Sequence, residues 1–238
     1  MAVTPPTDAA FLREVDEELR RDQLAGFGRR WGVAVAVAVV AALLAFAGFL
    51  WWQHHRDQVA GEQSEALSEA YGAMGAKQFD KATPLLAKLA SDGNAGTRAL
   101  AIFTQADLLL GKGDTKGAAA RFAAVAGDTA YAAPFRDLAL IRQTAAEFDT
   151  LKPGVVVERL RPLATRDGPW LGSAGEMVAA AYLAEGRRDL AGRMFAQVAG
   201  GKDVPPTIRQ RAVQMAGVLG IDAVAPDSAT PTGKAPAK

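Results

Sequence analysis

From Trp31 to Trp52 the chain reads WGVAVAVAVVAALLAFAGFLWW, and no charged residue stands between Arg30 and His54. Helix is the conformation that satisfies every backbone amide inside lipid, and 22 residues at the helical rise cover about 33 Å, against a hydrocarbon core of about 30 Å. Tryptophans mark both ends, Trp31 at one and Trp51 and Trp52 at the other, where amphipathic indoles prefer the two membrane interfaces. A buried helix of a soluble core would rarely be apolar on all faces over six turns. A cleaved signal peptide would carry a shorter apolar run and a small-residue cleavage site after it. Here the run is followed by Trp51-Trp52-Gln53-His54-His55-Arg56, and the 30 residues before it hold six acids. The segment 31–52 is therefore expected to be an uncleaved transmembrane helix.

Basic residues flanking a span set its orientation. Arg13, Arg20, Arg21, Arg29 and Arg30 precede it, and Arg56 alone is basic in the twenty residues after it. The expected topology puts residues 1–30 in the cytoplasm and the remainder across the membrane, which in a bacterium is the periplasm. Arg29, Arg30, Trp31, Trp51 and Trp52 are the expected membrane-interface residues. Alanines at 34, 38 and 42 offer small-residue spacing for helix packing, although so alanine-rich a span produces that spacing by composition.

Within residues 1–30, Phe11, Leu12, Val15 and Leu19 recur at helical spacing, with Asp16/Arg20 and Glu17/Arg21 as acid–base pairs one turn apart. Asp8 is the expected cap of a short amphipathic helix over 8–24. Two readings of that helix stand side by side: a surface helix lying on lipid headgroups or on the chain's own span, or a docking helix for a membrane partner. At the other end, residues 222–238 (DAVAPDSATPTGKAPAK) lack periodicity and are expected to be a disordered Pro/Ala-rich tail.

Residues 57–221, within an expected domain of 53–221, show long apolar-periodic segments broken at Gly-Asp and Gly-Lys, with little β-branched alternation. With 51 alanines in the chain, a residue that favours helix and lets helices approach closely, the prediction is all α-helix. The segment also repeats. GDTKGAAARFAAVAG from Gly113 matches GRRDLAGRMFAQVAG from Gly186 at a shift of 73. Gly113/Gly186, Ala118/Ala191, Phe122/Phe195 and Val125/Val198 are identical, and Ala106/Ala179 and Leu110/Leu183 continue the match. Two weaker copies contribute Ala82, Leu86 and Leu89, and Val156, Leu160 and Leu163. The small-residue positions 82, 118, 156 and 191 thus lie 36, 38 and 35 apart.

Two helices in about 34 residues, with a small residue followed four later by a large one, is the tetratricopeptide pattern. The small residue admits a neighbouring helix and the large one fills its groove, while the glycine ends one helix and turns the chain. Each unit leaves an apolar face for the next to cover, so a curved solenoid is expected, capped by residues 208–219. An ordinary helical bundle is the competing arrangement; the near match over 15 aligned positions disfavours it. The expected fold is thus all-α: one transmembrane helix followed by a tetratricopeptide-like helical-repeat solenoid.

The cytoplasmic segment, span and translocated repeat domain, with ALAIFTQADLLLGKGDTKGAAARF (99–122), GPW (168–170) and GKDVPPTIRQRAVQM (201–215), resemble the bacterial ancillary subunit of the SecYEG translocon. The resemblance covers about residues 8–221; the helix at 8–24 and the Pro/Ala tail depart from the family's pattern. It implies an inner-membrane adaptor beside the secretion channel, with the SecYEG translocon and a membrane-anchored periplasmic foldase as partners and emerging proteins as clients. It carries over no partner-binding residue. A scaffold of another envelope assembly, in division or cell-wall machinery, is the alternative function.

Chemistry finds little material. The chain has no cysteine and two histidines, which excludes disulfides, zinc–thiolate sites and thiol nucleophiles. His54 and His55 are adjacent, so they point about 100° apart on a helix and chelate poorly. No phosphate-cradling glycine loop, GxSxG or HExxH occurs. No catalytic residue, metal site or cofactor is expected, and the near balance of 27 basic and 26 acidic residues argues against nucleic acid as a partner. Trp170 is either an exposed binding aromatic or packs onto the helix after it.

Overall fold

The computed structural model describes the backbone of residues 8–223 and side chains from Gly32 onward. The chain divides into two compact units, Met1–Glu62 and Gln63–Lys238. Among the described residues the regular structure is entirely α-helical.

The first helix, α1, runs without interruption from Asp8 to Gly75. This differs from the expected short helix over 8–24 set apart from the span. The candidate break is Gly26-Phe27-Gly28, and glycine inside a helix costs only about 1 kcal/mol per residue, whereas proline would have removed a backbone donor. Asp8 is itself helical and not a cap outside the helix; the residues before it lie outside the described ones. Arg29, Arg30 and Trp31 lie in the helix, with side chains outside the described set. Every residue from 33 to 62 is exposed, and the apolar stretch of α1 is long and apolar enough to cross a membrane. Exposed rows of Val, Leu and Phe such as Val33, Leu44 and Phe46 suit hydrocarbon, not water.

The second unit is built from the end of α1 and eight further helices: α2 (Phe79–Asp92), α3 (Ala95–Gly111), α4 (Thr115–Ala126), α5 (Ala133–Glu147), α6 (Pro153–Leu160), α7 (Leu171–Ala184), α8 (Arg188–Ala199) and α9 (Pro206–Val218). From α2 onward each helix packs on the next, and α3 also touches α5, α5 touches α7, and α7 touches α9. That combination defines stacked helix pairs: one helix of each pair meets its counterpart in the next repeat.

The repeat positions explain the stacking. Ala82, Ala118 and Ala191 are fully buried and Val156 is 1 % exposed. Four residues on, Leu86, Phe122 and Leu160 are fully buried and Phe195 is 4 % exposed. Their surroundings form three apolar clusters. One joins Ala66, Ala70 and Met74 at the end of α1 to Leu86 and Leu89 of α2. The second centres on Phe103 and Phe122 between α3, α4 and α5, whose rings tilt at 53° with centroids 5.8 Å apart. The third and largest spans α5 to α9 around Leu160, Val178 and Val198. Burying a side chain of this kind contributes about 1.5–3 kcal/mol. Close approach needs glycine where α7 meets α8: a Cβ on Gly175 would stand 2.6 Å from Cγ2 of Val198.

One turn recurs at four helix ends. Lys77, Gly113, Gly186 and Gly220 all have positive φ, at 60°, 80°, 73° and 81°. The amide after each donates back to the helix: Gln78 to Ala73, Asp114 to Leu109, Arg187 to Tyr182 and Ile221 to Ala216. This is the left-handed helix end that glycine adopts without steric cost and that caps orphaned carbonyls. Lys77 alone of the four is not glycine. The hairpin between α5 and α6 turns differently, through Thr150 and Leu151 amides donating to Glu147, ahead of Pro153 at the start of a helix of only 8 residues. Residues 224–238, most of the expected disordered tail, lie outside the described residues.

Candidate functional site

Polar links tie the first helices of successive repeats together at intervals of one repeat. The Thr104 hydroxyl of α3 lies 3.4 Å from the Tyr71 hydroxyl near the end of α1. Asp107 of α3 pairs with Arg142 of α5, whose guanidinium also lies 4.9 Å from the Phe122 ring centroid. Glu176 of α7 pairs with Arg211 of α9 through two parallel bonds, Nε to Oε1 at 2.7 Å and Nη2 to Oε2 at 2.5 Å. Such a fork-to-fork pair adds directional definition to charge attraction. Hydrogen bonding and the charge of Glu176 raise the Arg211 pKa above the ordinary guanidinium value. A raised cation pKa means the contribution holds below that value and is lost only in strong base, so Arg211 stays charged wherever the protein works.

Between α5 and α7 this pattern is replaced by apolar surface. At the repeat shift of 73, the Thr104 and Asp107 that link α3 to its neighbours correspond to Met177 and Ala180 of α7. A groove of about 430 Å³ opens there, lined by Ala145 of α5 and Phe148 at its C-terminal cap, Met177 and Ala180 of α7, Phe195 of α8 and Met215 of α9. The Glu176–Arg211 pair borders it. Two methionines give this groove a deformable, polarizable lining able to fit side chains of different shape. Its size and lining, largely apolar with a single charged pair, match sites that seat a few apolar groups and orient them with one polar contact.

A second, smaller cleft of about 150 Å³ lies where the GPW segment meets the start of α9, with Pro169, Trp170, Lys202, Asp203 and Pro205 along it. Two of the stretches that carry the family resemblance, 168–170 and 201–215, thus converge in space. Trp170 does not rest on α7 alone: its indole N–H donates to Oδ2 of Asp137 on α5 at 3.3 Å, and its ring packs beside the largest cluster.

The residues expected to pack the repeats have the burial described above, and Gly113 and Gly186 occupy matching left-handed turns. Phe195 does more than pack, since it also lines the groove. At the end of the apolar run, Trp51 is 71 % exposed and Trp52 is 50 % exposed. Trp51 stacks on His55 with centroids 5.9 Å apart, and Arg56 lies 4.7 Å from the Trp52 centroid. Among the described residues no cluster of three or more His, Asp or Glu is arranged to hold a metal. The groove residues Phe148, Met177, Ala180 and Met215 were not singled out from the sequence. The polar-to-apolar change from Thr104 and Asp107 to Met177 and Ala180 at the repeat shift is a signal that could have found those two; Phe148 and Met215 carry none.

Helix pairs stacked at a period near 36 residues, with a small-then-large register and an open apolar groove, define a helical-repeat protein built for contacts with other proteins. The chain belongs to the tetratricopeptide repeat-like domain family, which matches residues 26–215. Domains of this kind are typically interaction modules without catalytic activity. A comparison with curated proteins returns no match, and neither does one with solved structures.

Proposed function

We propose that this protein is a membrane-anchored adaptor that binds protein partners near the Sec translocon and links emerging proteins to periplasmic chaperones. In this reading residues 31–52 span the inner membrane, residues 1–30 are cytoplasmic and the repeat domain is periplasmic. The SecYEG channel and a membrane-anchored foldase are its partners, and the protein itself performs no chemistry. The groove between α5, α7 and α9 carries the adaptor part of the proposal, because an apolar site bordered by a fixed ion pair recruits a partner by a few side chains. The location beside the channel is supported by the resemblance of residues 99–122, 168–170 and 201–215, and the orientation by the arginines before the span.

Crosslinking in native membranes, followed by affinity purification of the full chain and of Met177→Glu, tests this reading. Channel subunits and a periplasmic foldase enriched with the native chain, and the foldase lost from Met177→Glu, is the expected outcome. Enrichment of division or cell-wall proteins without channel subunits would replace the adaptor reading with that of a scaffold. Protease added to spheroplasts should remove the carboxyl-terminal tail and spare the first 30 residues; the reverse pattern would overturn the topology.

A further inference from the structure

The residues at the end of the apolar run and just past it divide by face. At 100° per residue, Trp51, His55, Trp52 and Arg56 occupy an arc of about 140°, while Gln53, Asp57, His54 and Gln58 take the other side. On the first face each aromatic ring carries a basic group one turn further on: His55 stacks on Trp51 with planes 7° apart, and Arg56 lies over Trp52. Phe49 extends the aromatic surface toward the span, its ring 6.4 Å from that of Trp52. All of these side chains are exposed. A guanidinium resting on a ring face keeps its N–H edge free, because the edge and the face of the cation are used by different partners. No carboxylate among the described residues forms an ion pair with Arg56. Asp57 is on the opposite face, and Glu62 lies about 9 Å further along the axis from Arg56.

We propose that Trp51, Trp52, His55 and Arg56 form a binding site for the headgroup of an anionic phospholipid. The phosphodiester would accept from the Arg56 edge and from His55, and the indoles would lie against the glycerol backbone and the first acyl carbons, with Phe49 deeper. Three observations select this occupant. The site sits at the end of an apolar run of 22 residues, which is the depth of the headgroup layer. Its donors are the Arg56 guanidinium, which forms no ion pair with acid among the described residues, and the His55 ring N–H, and both complement a phosphate. Its remaining surface is aromatic and exposed, which suits a lipid and not a free hydrated anion.

The inference rests on reading residues 31–52 as a span, and the test separates the two. The full chain is reconstituted in nanodiscs of mixed phosphatidylcholine and phosphatidylglycerol, and the lipids it retains on gentle release are counted by native mass spectrometry. Phosphatidylglycerol should be retained about fivefold above its share of the bilayer, the enrichment that one basic residue at the surface supports. Arg56→Gln should bring retention down to that share, Arg56→Lys should keep part of it, and Arg187→Gln in the repeat domain should change nothing. Normal incorporation with no preference for the anionic lipid would overturn the headgroup site and leave the span intact. Failure to incorporate at all would overturn both. Displacement of the lipid by inorganic phosphate would overturn the lipid assignment in favour of a simple anion site.

Discussion

Replacing Phe122 by alanine tests the packing logic at its centre. Phe122 is the largest fully buried side chain in the protein as described; it meets Phe103 at 5.8 Å and supports the Arg142 guanidinium. A buried Phe→Ala change costs about 3–5 kcal/mol, set by how far the cavity collapses. Here collapse is limited, because Phe122 is held between helices whose contact residues Ala99, Ala106 and Ala118 are already as small as side chains allow. The cation–π contact adds at most about 0.5 kcal/mol, since the Arg142 side chain is 36 % exposed and screened. The expected loss is therefore about 4 kcal/mol. In urea, with a slope of about 2 kcal/mol per molar, that lowers the midpoint of the repeat domain's transition by about 2 M. Circular dichroism of the full chain in detergent follows it, with α1 as a helical baseline. Phe79→Ala, at a ring that is 45 % exposed, is the control and should shift stability by less than about 0.5 kcal/mol. A loss at Phe122 below about 1.5 kcal/mol would mean that its ring does not fill the interface between repeats, and the assignment of the large-residue position would fall with it.

Three further outcomes are expected. Ala118→Trp, at a position with no exposed surface, should destabilise the domain by at least about 1–3 kcal/mol through overpacking; unchanged melting would refute the repeat register. Gly113→Ala should cost about 1 kcal/mol through the left-handed backbone alone, since an added Cβ meets nothing within 4 Å. Lys77→Gly, at the matching turn, should instead gain about 0.5–1 kcal/mol, and equal signs in thermal denaturation of the two variants would show that the turns are not equivalent. Zinc or magnesium should leave the melting temperature unchanged, and a clear upward shift would reveal a metal site.

The sequence by itself determined the helical class, the long apolar segment and the small-then-large register, because each is a local pattern. Ala82, Ala118, Val156 and Ala191 are recognisable from spacing since a helix presents the same face every few residues, whatever it packs against. The turns at Gly113 and Gly186 are legible for the same reason, as positive φ at a helix end selects glycine within one residue of chain. Lys77 shows the limit: it adopts that conformation without advertising it. Continuity of α1 through Gly26 and Gly28 was likewise hidden, because a glycine's cost is small enough for flanking helix to override.

Only the tertiary structure decided the groove. Ala145, Phe148, Met177, Phe195 and Met215 come from four helices and share no sequence pattern; they become a site because the stacking of repeats aligns one edge of each helix. It also decided that Glu176 and Arg211, 35 residues apart, form a pair at the groove's border, and that Trp170 reaches back to Asp137. Periodicity tells which face of a helix is buried; which residues of the remaining faces meet depends on the offset and angle between neighbouring helices. Those follow from the sum of many packing contacts in three dimensions, and no short stretch of sequence carries that sum.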